Sequence, residues 1–300
     1  MTEKQWNIIN GDCVTEMHAM ADRGDLFDLA VFSPPFASLF TYSNLDQDMG
    51  NSRDSDDEFL MHHRFFVDAL IRVVRPGRNV CVHVQNPTRT KATHGHMGIW
   101  DMRGDMIRQY QQGGFVFYGD ITVDKCPQAQ AIRTKAHALM FVNLEKDSMI
   151  SRPALADYVL IFKRPGVNAT PVHPVQNGEM TRETWIEWAR PIWRGINETN
   201  TLNVRLAREE EDERHLCPLQ LDLIERCVRL WSNRGETVFS PFAGVGSEGY
   251  VAVQLGRRFV GTELKPAYAS RAQFNMAEAV RIAQSPQADM FGERPVSFHV

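Results

Sequence analysis

The sequence predicts an α/β fold, a doubly wound and mostly parallel sheet with helices on both faces, and three observations predict it. Short apolar runs alternate with stretches of helical periodicity along most of the chain. Several runs, FDLAVF (27–32) and NVCVHV (79–84) among them, lack polar alternation, as strands covered on both faces do. Two runs enter nearly the same turn, VFSPPF at Val31–Phe36 and VFSPFAG at Val238–Gly244. The carboxyl ends of strands are where open α/β sheets take ligands.

Taken in order, WNIIN (6–10) is a short strand closed by Gly11-Asp12, and 15–23 reads as a short helix. After the strand at 27–32, residues 57–74 carry apolar side chains at helical spacing and stop at Arg75-Pro76-Gly77. The strand 79–84 follows. Asp101 caps a helix that reaches Gln112 and ends at Gly113-Gly114. FVFYGDITV (115–123) and DYVLIF (157–162) are strands, and 219–232 is an amphipathic helix. ETVFS (236–240), RFVGTEL (258–264) and a helix over 266–283 complete the set, with a flexible tail over 284–300. Two segments resist the pattern, 125–156 and the Pro-, Asn- and Trp-rich 165–213. Both are long for structureless loops, which makes them functional insertions or a small extra lobe.

With 300 residues, 43% hydrophobic and 23% charged, the chain has an ordinary globular composition. No run of about eighteen apolar residues suggests a membrane span, and MTEKQWNIINGD lacks the order of a secretory signal. The five cysteines, Cys13, Cys81, Cys126, Cys217 and Cys227, are scattered and form no C-x-x-C pair. That argues against a disulfide framework or zinc cluster and for a reducing cytoplasm. The net charge of −4 speaks mildly against a nucleic-acid partner. Basic residues at 72–78, 89–91, 103–108, 133–135, 163–164 and 190–194 nonetheless leave a basic face open, as they leave open a merely solvated surface.

A duplicated domain would explain the two similar turns, but little beyond VFSP and Phe matches, and the elements that follow differ. The reading taken is one split site. In 238–264 a strand runs into F-x-G-x-G, then a helix, then a strand ending in Glu263. Gly244 and Gly246 permit a tight turn and close approach of a ligand, and an acid some twenty residues on suits the hydroxyls of a ribose. A tight turn with a solvated Glu263 is the plainer alternative. A nicotinamide dinucleotide competes too, but the anionic Glu248 stands where a pyrophosphate would meet the helix start. A cofactor without phosphates, such as S-adenosylmethionine, fits better. At the other end, Pro34 and Pro35 fix the backbone and lack N–H donors, so the carbonyls around Ser33 and Pro34 are rigid acceptors beside the Phe36 ring. That suits a flat group bearing an NH₂, such as a nucleobase, while a strand simply terminated by Pro-Pro is the plainer alternative.

Together the two ends resemble the amino-group DNA methyltransferases. The family's acceptor motif, [D/N/S]-P-P-[Y/F], is Ser33-Pro34-Pro35-Phe36. Its cofactor motif, F-x-G-x-G, is Phe242-Ala243-Gly244-Val245-Gly246. The acceptor motif comes first, the circularly permuted order of the β class. Gly11-Asp12, HLCPLQLDLIERCVRLW (215–231) and GRRFVGTELKPAY (256–268) match further family segments. Three departures stand out: Ser240 where the family usually has Asp, Leu216 where a proline is usual, and Phe32 where cytosine-modifying members usually have Thr.

The resemblance implies a Rossmann-like class I methyltransferase fold with an inserted target-recognition region. Residues 1–164 would be the target-base half, 165–211 the recognition insertion and 212–283 the cofactor half. It implies catalytic roles for Ser33, Pro34, Pro35 and Phe36, and a site for S-adenosylmethionine made by Asp12, Ser240, Phe242, Ala243, Gly244, Gly246, Glu263 and Cys217. DNA contacts would come from Arg133, Lys135, Arg190 and Arg194, with no metal required. Histidines at 62–63 and 94–96 are read as surface or loop residues. The target base leaves the stack, Phe36 stacks on it, and Ser33 and Pro34 accept from its amino group, which then attacks the methyl. Neutral Ser33 is a weak base, so the proton is expected to leave to water. Ser33 points to cytosine N4, with adenine N6 the alternative and a catalytically silent DNA-binding relic the alternative of another class. Double-stranded DNA is the expected partner, with a homodimer and a restriction nuclease on a separate chain as further expectations, in a bacterial or phage-encoded cytoplasmic setting.

Overall fold

The computed structural model describes residues 5–35, 48–49, 56–89, 91, 95–96, 98–128, 130, 145–146, 154–202 and 218–284. Strand β1 (Trp6–Asn10) leads into helix α1 (Cys13–Asp22) and β2 (Phe27–Phe32). Helix α2 (Asp56–Val73) feeds directly into β3 (Val74–Gln85), and a two-residue ladder, β4 (Thr88–Arg89) with β5 (Gly98–Ile99), precedes α3 (Met102–Gln112). Then come β6 (Val116–Val123), β7 (Asp157–Lys163), α4 (Arg182–Trp188) and β8 (Ile192–Trp193). The last part is α5 (Leu221–Trp231), β9 (Thr237–Ser240), α6 (Ser247–Gln254), β10 (Arg258–Glu263) and α7 (Pro266–Ala283).

Eight strands form one sheet in the order β1-β10-β9-β2-β3-β7-β6-β8. Every neighbouring pair is parallel except those made by β7, which runs antiparallel to β3 and to β6. Chain order runs outward in opposite directions from the β9–β2 border, toward β10 on one side and β3 on the other. That border is the switch point of the sheet. The two similar turns leave it side by side, since Leu29 pairs with Val238 and Ala30 with Phe239.

The unalternating strands are buried on both faces, as their sequences require. Leu29 and Val31 enter one core with α5, α6 and α7, whereas Ala30 and Phe32 enter the other with α1, α2 and α3. Helix α5 turns Leu221, Ile224, Cys227 and Val228 inward, at the spacing of one helical face.

Two features depart from the sequence reading. The strand expected from residue 79 begins at Val74, and the register slips between Phe27 and Leu29 so that residues 75–78 bow out. Gly77 makes this possible: its φ is +75°, its N–H donates to the Arg164 carbonyl (2.9 Å), and a Cβ there would lie 2.3 Å from the Asn168 nitrogen. Part of the Trp-rich segment is an edge of the main sheet, not a detached lobe. Trp193 of β8 is fully buried, stacks on Trp231 at 6.4 Å, and donates its indole N–H to the Trp188 carbonyl at 2.8 Å.

The same segment is anchored by charge. Glu179 is 5% exposed and accepts from Arg234 Nε (2.6 Å) and Arg257 Nη1 (3.0 Å), while its carbonyl accepts from Arg229 (2.8 Å). Several basic residues of the candidate face are likewise committed to structure. Arg78 is buried and pairs with Glu236, Arg75 with Asp28 (2.8 Å), and Arg103 with Asp120.

Candidate active site at the carboxyl ends of two adjacent strands

At the end of β9 the chain turns over Ser240–Gly246 into α6. The turn is tied to β10: Thr262 Oγ1 donates to the Pro241 carbonyl (2.7 Å) and the Ala243 N–H to the Thr262 carbonyl (2.9 Å). Gly244 has φ +53°, and a Cβ there would meet nothing within 4 Å, so open space lies over the turn. Gly246 has φ +89° and caps α6 against Ala272. The later Gly249 serves packing, because a Cβ there would sit 2.4 Å from the Phe259 ring. Ser240 is fully buried, and among the described residues its Oγ has no hydrogen-bond partner.

Glu263 closes the other side. Its Oε2 accepts from the Gly244 N–H (2.8 Å) and its Oε1 from the Lys265 N–H (2.9 Å), which leaves further lone pairs on both oxygens. Burial pushes its carboxyl up to about 7 against those two N–H donors. Glu248, read as an anion at the helix start, is buried in the first turn of α6, and burial, with Glu263 nearby, pushes it up to about 8. Burial thus favours its neutral form, which weakens the charge argument against a pyrophosphate. Asp12 caps α1, its Oδ1 accepting from the Thr15 N–H and Oγ1, both at 2.8 Å. The Gly11 N–H donates to the Glu263 carbonyl (3.0 Å), which holds the start of α1 beside the end of β10.

At the end of β2, Ser33 and Pro35 are partly buried and Pro34 is buried. The aromatic rings bind the two turns into one structure. Phe32 lies 5.8 Å from Phe242, and Phe66 packs on both, at 5.6 and 4.9 Å. This gives the unusual Phe32 a packing role.

Ser33 also sits in a chain of polar contacts that the sequence reading missed. Its Oγ lies 3.2 Å from His83 Nδ1 and 3.2 Å from the His83 carbonyl oxygen. His83 Nε2 lies 3.0 Å from Asp157 Oδ2, which pairs with Lys125 Nζ at 2.6 Å. Glu198 stands 3.9 Å beyond that ammonium. Burial alone would raise the Asp157 carboxyl, but His83 and Lys125 outweigh it and hold it at about 2. A signal was present: His83 is the one polar side chain in NVCVHV after its opening Asn79, and Asp157 opens DYVLIF.

Arg190 and Arg194 are on the surface, where Arg190 pairs with Glu187 (2.9 Å) and Arg194 faces Asp124 (3.9 Å). Trp185 is exposed, whereas Arg226 lies over the rings of Trp188 (5.4 Å) and Trp193 (5.3 Å). Phe36, Arg133, Lys135 and Cys217 lie outside the described residues. His63 is not a surface histidine: it is fully buried against Phe59, Phe66 and Tyr110, and burial pushes it down to about 3. Among the described residues no three or more His, Cys, Asp or Glu are grouped to hold a metal. No helix among them is long and apolar enough to cross a membrane.

Sheet order, a single antiparallel strand and a glycine turn closed by an acid define an α/β enzyme of the class I, S-adenosylmethionine-dependent methyltransferase type. The orphaned Ser240 hydroxyl, the open space over Gly244 and the lone pairs of Glu263 fit that cofactor. The chain belongs to the DNA methylase family, whose N6/N4 methyltransferase model matches residues 27–274. It is thus an S-adenosylmethionine-dependent DNA methyltransferase, of cytosine N4 or adenine N6, with double-stranded DNA as substrate. It is 24% identical to the type II methyltransferase M.MjaI of Methanocaldococcus jannaschii, over 79% of this chain and 80% of that one. It is 33% identical to M1.MboII of Moraxella bovis, over 34% of this chain and 35% of that one. Among solved structures, a putative DNA modification methylase of Thermus thermophilus in complex with S-adenosyl-L-methionine superposes with a TM-score of 0.67 at 21% identity, over 91% of this chain and 94% of that one. PvuII DNA methyltransferase, described as cytosine-N4-specific, gives 0.62 at 17% identity, over 94% and 92%.

The two buried acids make the stability of the fold depend on pH. A carboxyl whose folded pKa is raised binds more protons folded than unfolded, so stability falls as pH rises from the ordinary carboxylate range through about 7 for Glu263 and about 8 for Glu248. An ionised carboxylate is also a stronger hydrogen-bond acceptor than a neutral one. Between pH 6 and 8 the ligand-free melting temperature is expected to fall, while S-adenosylmethionine binds more tightly. Differential scanning fluorimetry with and without the cofactor reads both, and a constant gap across that range would contradict the assignment.

Proposed function

We propose that the protein is a β-class, circularly permuted DNA methyltransferase of the SPPF type that methylates N4 of a flipped-out cytosine. The observation that carries this reading is the adjacency of β2 and β9. It sets a serine hydroxyl and a Pro-Pro turn beside a glycine cradle, with the acceptor turn first in the chain.

In this reading S-adenosylmethionine supplies an electrophilic methyl on a sulfonium. Ser33 Oγ and the Pro34 carbonyl accept from the amino group and draw its nitrogen toward tetrahedral geometry, which frees the lone pair. Pro35 keeps the turn rigid and Phe36 stacks on the base. Phe242, Ala243, Gly244 and Gly246 line the cofactor, Glu263 takes its ribose hydroxyls, Ser240 and Asp12 meet its polar edge, and the segment with Cys217 covers it. Arg133, Lys135, Arg190 and Arg194 contact DNA, where such side chains can read base edges. Residues 1–164, 165–211 and 212–283 serve as target-base half, recognition insertion and cofactor half. A homodimer and a separate restriction nuclease complete the proposal, in a bacterial or phage setting.

Expression in a host without DNA methylation, followed by nucleoside mass spectrometry of its genomic DNA, tests the base. N4-methylcytosine is the expected product. N6-methyladenine would retain the site and overturn the link between Ser33 and cytosine. Neither product, from a protein that binds the cofactor and DNA, would favour the silent relic.

A further inference from the structure

We propose that His83, held by Asp157 and Lys125, takes the proton that the target amine loses, through the hydroxyl of Ser33. The inference rests on the amine-methylation reading above. The topology explains the assembly. Strands β2, β3 and β6 end at one edge of the sheet, and the antiparallel β7 begins there. Four separate segments thus deliver Ser33, His83, Lys125 and Asp157 to one line of contacts, with Glu198 beyond.

The arrangement is directional. Asp157 is 4% exposed and remains a carboxylate beside Lys125, which is 6% exposed. A carboxylate on His83 Nε2 favours the tautomer with the proton on Nε2, leaving Nδ1 as acceptor toward Ser33. Ser33 can then donate to Nδ1 while its lone pairs accept from the amine. As the amine nitrogen bonds to the methyl carbon, the carbon–sulfur bond breaks and sulfur keeps the electron pair. The methylated nitrogen, now cationic, releases a proton to Ser33 Oγ, and the Ser33 hydroxyl proton passes to His83 Nδ1. Asp157 stabilises the imidazolium, which later loses its proton to water. The hydroxyl is therefore a conduit, where its own basicity would be too weak.

The groups facing His83 are Ser33 after β2, Asp157 on β7, and Lys125 after β6 with Glu198 behind it. Neutral His83, with Nδ1 free to accept, is the competent form. The test combines imidazole ¹⁵N NMR of the intact protein with the pH profile of methyl transfer. A protonated Nε2 and an unprotonated Nδ1 are expected, with the Nδ1 resonance moving in Ser33→Ala. His83→Gln is expected to lower kcat by about 10²-fold, with KM for S-adenosylmethionine and DNA unchanged, and to abolish the acid limb of the profile. Asp157→Asn, which keeps the shape and removes the charge, is expected to lower kcat with KM unchanged. A His83→Gln enzyme with wild-type kcat and an unaltered limb would overturn the relay. So would a proton resident on Nδ1 at neutral pH, with the Ser33 hydroxyl donated to the His83 carbonyl. A wild-type protein that methylates no DNA would instead contradict the function proposed above, and the tautomer would still decide the relay.

Discussion

Ser33→Ala is expected to transfer methyl groups roughly 10²- to 10³-fold more slowly than wild type while binding S-adenosylmethionine about equally well. In the proposed mechanism the hydroxyl accepts from the amine most strongly where charge develops on that nitrogen, so its removal acts on the transition state more than on the ground state. It also severs His83 from the substrate, because His83 Nδ1 meets Ser33 Oγ at 3.2 Å. The fold should tolerate the change. Ser33 lies past the end of β2, and Phe32 remains fixed between Phe66 and Phe242. Single-turnover transfer with calorimetric cofactor binding checks both halves. A loss of cofactor affinity as large as the loss of rate would show that Ser33 supports the cradle instead of the target amine.

Glu179→Ala is expected to have the largest effect on stability, about 3–5 kcal/mol in denaturant unfolding. The cause is the partner left behind. Arg257 is fully buried, and its other bonds run to Ser232 and to the Leu255 carbonyl. With Glu179 gone, its charge has no buried anion within reach among the described residues. Arg229 and Arg234 lose the same partner. The double variant Glu179→Ala/Arg257→Met should recover part of the loss, because an apolar pair no longer strands a buried charge. A single variant within about 1 kcal/mol of wild type would mean that the buried ion pairs of Glu179 contribute little net stability.

The glycine end was legible because its chemistry lies in residue types at fixed offsets within one strand-helix-strand unit. Gly244, Gly246 and Glu263 could be read together for that reason. The Pro-Pro turn was legible for the same reason, and the unalternating strands announced a sheet covered on both faces. The relay was not, since Ser33, His83 and Asp157 meet only through strand order, across 50 and 74 residues of chain. The antiparallel sense of β7 leaves no mark in its composition, yet it places Asp157 at the active edge. Burial was the other blind spot. Glu248 read as an anion and His63 as a surface or loop histidine, but the fold encloses both and shifts their protonation. Strand β8 has only two residues, too few for any periodicity to show.

The central claim is that two strand ends, far apart in the chain, form one site with divided labour. The most direct measurement is methyl transfer to duplex DNA as a function of S-adenosylmethionine concentration, for wild type, Ser33→Ala and Glu263→Ala. The account predicts that Ser33→Ala lowers the saturating rate and leaves the half-saturating concentration in place. It predicts that Glu263→Ala raises the half-saturating concentration and largely recovers its rate when the cofactor is in excess. The two variants raising the half-saturating concentration alike, or Ser33→Ala transferring at the wild-type rate, would contradict it.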